Sequence, residues 1–207
     1  MDERHTVIRS LHDVGAALWL GGSLMSAVGL NGASRAVSNP DERAHIASVG
    51  WTKWAPVSAA AIGAHLIGGT GLLITNRRRA RTQAGVTANT AVKTALTLAA
   101  VATTAYSGLL GNQIARNGTV PTDGTTDPSS ATPQNVATAQ RQQRILQWVT
   151  PALTAVIVAL GAQQGEQQRP SQMLGGIRAR LPRVSHRSYR QALRRLHTVG
   201  APLRECR

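Results

Sequence analysis

Four stretches of this chain contain no Asp, Glu, Lys or Arg, at 14–34, 55–76, 94–115 and 145–165. At ~1.5 Å of rise per helical residue, ~18 to 22 residues cover the ~30 Å hydrocarbon core of a bilayer. The expected architecture is therefore all-α, a polytopic membrane protein with four transmembrane helices in a small bundle. A soluble Ala-rich bundle is the competing reading, encouraged by a mean hydropathy of only −0.13. Soluble amphipathic helices, however, carry a charge every few residues on their wet face, and these windows carry none. Nor is there an acidic residue between Glu42 and Asp123 to solvate a soluble middle.

The predicted organisation is a transmembrane domain over 1–165, with spans at about 12–33, 55–75, 92–114 and 145–164. A Pro-, Thr-, Ser- and Gly-dense segment within 116–144 reads as a flexible outer loop, and 166–207 as a basic cytoplasmic tail. Net charge is +14 over 207 residues, and Lys53 and Lys93 are the only lysines. Ala- and Arg-richness with no Phe fits a GC-rich bacterial genome, hence a bacterial inner membrane. The single Cys206 rules out an intrachain disulfide and a cysteine metal site within one chain.

Positive charge sets the orientation. Arg77, Arg78, Arg79, Arg81 and Lys93 flank one short connection, and ten arginines follow residue 165. Both termini and that connection are expected in the cytoplasm, with 35–54 and 116–144 outside. Trp51, Trp54 and Trp148 precede helices entering from the outer face, where indoles favour the interface. Pro56 fits a first helical turn, whereas Pro151 falls in the second turn of a helix starting at Ile145 and should kink it. A signal peptide competes for the first span, though the apolar run is long for one.

Small residues recur at helical spacing. Gly21 and Gly22 in the first span, and Ala60, Gly63, Ala64 and Gly68 in the second, are candidate packing positions. His65 falls near the middle of the second window, and a mid-membrane imidazole is a functional candidate by default. It is equally a neutral side chain bonded to a Thr or a carbonyl. His12 and Asp13 stand at the start of the first span, with Arg9 four residues before Asp13, and read as an interfacial charge cluster. Placing His65 at mid-membrane and His12 eight residues before Leu20 separates the two by roughly 12 Å in depth.

The run LHDVGAALWLGGSL, with His12, Trp19 and the Gly21–Gly22 pair, resembles the first helix of small four-span bacterial membrane proteins of the CopD-like and related uncharacterised groups. A histidine in the second helix, as at His65, is similar. The resemblance implies copper handling, or haem or metal binding, with His12 and His65 as ligands. Against it stands the absence of a Met- or Cys-rich copper site.

In the tail, Tyr189, Leu193 and Leu196 alternate with Arg187, Arg190, Arg194 and Arg195, as in a short basic helix on an anionic inner leaflet. A solvated disordered tail fits equally well. Arg77, Arg78, Arg79 and Arg81 face the same lipid surface. Nucleic-acid binding has only charge in its favour, and no catalytic motif stands out. The expected function is thus a non-enzymatic structural or accessory subunit that packs with a larger membrane assembly or with itself. Haem or copper binding through the membrane histidines is the alternative.

Overall fold

The computed structural model describes residues 3–82 and 84–167, with side chains described over 6–75 and 88–163. The lipid-facing arginines expected at 187, 190, 194 and 195 therefore lie outside the described residues. Arg77, Arg78, Arg79 and Arg81 fall within a helix, but their side chains are outside the described set.

The chain is an all-α bundle. Helix α1 (Glu3–Met25) runs through a five-residue π-helical segment (Ser26–Leu30) into the short α2 (Asn31–Ser34). Then follow α3 (Pro40–Thr82), α4 (Ala84–Arg116), a two-stranded antiparallel hairpin of β1 (Thr122–Gly124) and β2 (Asp127–Pro128), and α5 (Gln134–Gln167). Four of these segments are long and apolar enough to cross a membrane: Thr6–Ser34, Pro40–Thr75, Ala88–Arg116 and Gln134–Gln163. The bundle buries little of them. Ile67, Leu98 and Leu109 remain 67%, 64% and 66% exposed, an apolar surface that suits lipid and not water.

Two helices begin well before the expected positions. Helix α3 starts at Pro40 rather than near 55, because Asn39-Pro40-Asp41-Glu42 is a complete start signal. Asn39 Oδ1 accepts from the Asp41 amide at 3.2 Å, Pro40 sits where its missing N–H costs nothing, and two acids meet the positive helix end. Pro56 consequently lies inside α3, not in its first turn. Likewise α5 starts at Gln134, so Pro151 lies in its interior and the helix continues through it.

The segment expected as a flexible outer loop is thus partly helix, and the remainder is folded down onto the bundle. Val120 joins Ala44, Leu110, Ile114, Val136 and Ala139 in a buried cluster. Arg43 Nε donates to the Val37 carbonyl (2.8 Å) and its guanidinium reaches the Thr122 carbonyl (3.3 Å). Asp127 takes Arg35 on one carboxylate oxygen and Arg144 on the other, the latter at 2.5 Å. Proline and hydroxyl content marked a turn correctly here, but side-chain hydrogen bonds fasten it. This is the hairpin end of the bundle; the start of α1 and the α3–α4 connection form the other.

Helices α1 and α3 are antiparallel and in near-backbone contact. A β-carbon at Gly15 would lie 2.6 Å from the Ala61 carbonyl oxygen, and one at Gly22 would lie 2.6 Å from the Trp54 ring. One at Gly68 would lie 2.7 Å from the Ile8 carbonyl oxygen. Only glycine fits there, as small-residue packing in membranes requires. Of the expected packing positions, Gly22 and Gly68 are spent inside the chain. Gly21 and Gly63 have nothing within 4 Å of where a β-carbon would stand, and Ala60 and Ala64 line an open groove between α1 and α3. On the other flank, α4 and α5 are joined by Gln143 Nε2 to the Ser107 carbonyl (2.6 Å) and Thr150 to Thr103 (3.3 Å).

Candidate functional site

The tight α1–α3 contact brings His12 and His65 together. Both are buried, at 6% and 2% exposure. Their ring centroids are 4.3 Å apart with the planes tilted by 37°. The expected 12 Å offset in depth is therefore wrong.

Each ring has its Nδ1 engaged. His12 Nδ1 stands 2.7 Å from Asp13 Oδ1, and the carboxylate accepts. His65 Nδ1 stands 3.0 Å from the His12 backbone carbonyl, an obligate acceptor, so this nitrogen carries the proton. His65 Nε2 is left to accept from the Thr97 hydroxyl of α4 at 3.4 Å. Gly69 leaves room for the His12 ring, whose Cδ2 would lie 3.3 Å from an added β-carbon. An Nδ1 tied to a carboxylate or carbonyl fixes the tautomer and makes Nε2 the acceptor nitrogen, the one metal-ligating histidines use; on His65 that nitrogen receives the Thr97 hydroxyl.

Trp19 closes the site from above. It is buried, its ring meets His65 edge-on at 6.1 Å, and its Nε1–H donates to Thr104 Oγ1 at 3.2 Å. With Ala100 and Ile157 it forms the second core cluster of the bundle. Trp19, Thr97 and Thr104 complete the site, the two threonines being members of the stripe Thr90, Thr94, Thr97 and Thr104 that the sequence places at helical spacing. The signal was present: Trp19 lies seven residues after His12, two helical turns on the same face, and Thr97 and Thr104 repeat that interval on α4.

The arrangement favours some ligands over others. Two imidazoles holding a haem iron from opposite faces need ring centroids about 6 Å apart, given Fe–N bonds of about 2 Å. At 4.3 Å the pair has no room for a porphyrin between the rings. Among the described residues, no three His, Cys, Asp or Glu side chains converge as a ligand group. The centre thus offers two imidazoles and a hydroxyl. No family model, curated protein or solved structure matches the chain.

Proposed function

We propose that this chain is a metal-handling protein of the bacterial cytoplasmic membrane, and that His12 and His65 bind a transition-metal ion such as copper. The observation that carries this reading is the pairing itself: two buried imidazoles at 4.3 Å, each with Nδ1 tethered to an acceptor. Imidazole suits copper and zinc. A centre with two imidazole ligands leaves positions open to an incoming or departing ligand, which suits transfer more than storage. The resemblance of the first helix to CopD-like proteins agrees with this choice of metal. The same centre, read as a site for handling an ion, calls for no catalytic group.

The test is metal content of the full chain purified in detergent, after loading with copper or zinc and desalting. Near-stoichiometric metal is expected in the wild type, with loss in both His65→Ala and His12→Ala. Metal content unchanged in His65→Ala overturns the reading.

A second reading, the accessory subunit, is favoured by Gly21 and Gly63, which open outward with free space above the backbone. These positions admit a helix of another subunit or of a second copy. Gly21→Leu or Gly63→Leu should then reduce oligomer or complex recovery, and unchanged recovery of both refutes it. In either reading the Arg77–Arg81 cluster and the basic tail belong at the anionic cytoplasmic leaflet, with both termini inside. Fusion reporters at each end test that placement.

A further inference from the structure

An open groove of about 440 Å³ runs along the outside of the bundle between α1 and α3. Val7, Leu11, Val14 and Leu18 form its α1 wall, apolar side chains at intervals of three and four on one helix face. On the α3 side Ala60 and Ala64 offer only methyl groups, so that wall is low. The two helices already meet at Gly15 and Ala61, which also line the groove, so they cannot close it by moving together. Val7 and Val14 stay 60% and 57% exposed, leaving this apolar surface to whatever surrounds the bundle.

The groove is polar at one end only. Thr6 and Ser10 bring hydroxyls to it there, and every other side chain that lines it is apolar. The same end of the helix pair gathers positive charge. Helix α1 carries Arg4 and Arg9, and antiparallel α3 continues through the Arg77–Arg81 cluster, against the acids Glu3 and Asp13. Asp13 is bonded to His12. From Thr6 to Leu18 the groove follows twelve residues of α1. That is ~18 Å at ~1.5 Å per residue, and half of a ~30 Å hydrocarbon core is ~15 Å. One turn beyond Leu18 the Trp54 ring already fills the space over Gly22. A helix from a second chain would call for a seam continuing through both leaflets, whereas this one is about as long as a single leaflet is deep.

We infer that the groove holds one acyl chain of an anionic phospholipid from the leaflet at the start of α1. The ester region then lies at Thr6 and Ser10, where a hydroxyl can donate to an ester carbonyl, and the phosphate lies toward the arginines. A phospholipid has the polarity of the groove in the same order: charge, then ester, then hydrocarbon. Lipid tails are as apolar as the wall itself, so retention rests on fit and on headgroup charge instead of on the hydrophobic effect. This inference does not depend on metal at the His12–His65 centre.

The experiment is quantitation of phospholipid carried by the full chain after detergent extraction from membranes containing phosphatidylglycerol and phosphatidylethanolamine. The wild type should retain about one phospholipid per chain, as befits a single formed site. Phosphatidylglycerol should be enriched about fivefold over the source membrane, the effect of roughly one arginine's attraction. Ala60→Leu fills the groove from α3 and Val14→Trp fills it from α1, both at exposed positions that tolerate a larger side chain. Each should lose most of the retained lipid with helical content unchanged by circular dichroism. A wild type that carries no more phospholipid than both variants overturns the inference, and so does retention with no headgroup preference. If the two variants instead convert a dimer to monomers, a second copy occupies the groove and the inference falls.

Discussion

Replacing Gly68 by Ala tests the contact on which the histidine centre depends. The added β-carbon would stand 2.7 Å from the Ile8 carbonyl oxygen and 2.8 Å from the His12 Cα. Ordinary contact distances are about 3.5 to 4 Å, so α1 and α3 must part by roughly 1 Å. Both obstructing atoms are backbone, and no side-chain rotation relieves them. The His65 Nδ1 bond to the His12 carbonyl, 3.0 Å in the wild type, stretches past hydrogen-bonding range. Overpacking costs about 1 to 3 kcal/mol and the lost bond about 1. The better helix propensity of Ala returns up to about 1 kcal/mol. The net expectation is destabilisation by about 1 to 3 kcal/mol. The internal control is Gly63→Ala, five residues earlier on the same helix, where nothing lies within 4 Å and propensity alone should leave the protein equal or slightly stabler. Reversible unfolding of both variants in the same detergent reads the difference. If Gly68→Ala unfolds no more easily than Gly63→Ala, the close α1–α3 approach is wrong, and the pairing of His12 with His65 falls with it.

Other perturbations probe separate parts of the bundle. Trp19→Phe and Thr104→Val each remove the indole–hydroxyl bond, and a double-mutant cycle on unfolding should return a coupling of about 1 kcal/mol; a coupling near zero means the bond contributes nothing. Asn39→Ala should cost about 1 kcal/mol through loss of the α3 cap, whereas a helix starting near residue 55 would not register the change. Asp127→Asn releases Arg35 and Arg144 together. Both arginines are largely exposed, so the loss should be no more than about 1 kcal/mol and should shrink as salt is added. A loss that is independent of salt refutes the ionic account.

The four spans were legible because the absence of charge over a bilayer's length is a local property, visible without knowing any partner. The extensions of α3 and α5 were legible in principle and missed for a specific reason. Asn39-Pro40-Asp41-Glu42 is a helix start, and Gln140, Gln143 and Gln147 fall on one helical face at spacings of three and four. Both lie in polar sequence, which on its own reads as loop. In a helix that projects beyond the hydrocarbon, polarity marks only the edge of the membrane. The clasp of Asp127 between Arg35 and Arg144 was not legible at all, since its members lie 92 and 17 positions apart and nothing local links them.

The histidine centre shows the same error with larger consequences. Setting His65 at mid-membrane assumes that its uncharged window is centred on the bilayer, as if each helix ended where its charges begin. The 4.3 Å between the ring centroids shows instead that His65 and His12 share a level. Register across a helix pair is fixed where the helices approach most closely, at Gly15 against the backbone of Ala61 and His65 and Gly68 against that of Ile8 and His12, with Gly22 against the Trp54 side chain. In each contact the two residue numbers sum to between 76 and 80. An antiparallel pair keeps that sum nearly constant along its length, which sets His12 opposite residues 64 to 68 on α3. A glycine whose β-carbon would strike backbone therefore does more than permit packing. It sets which residues of the two helices share a level, and here it turns two separate membrane histidines into one site.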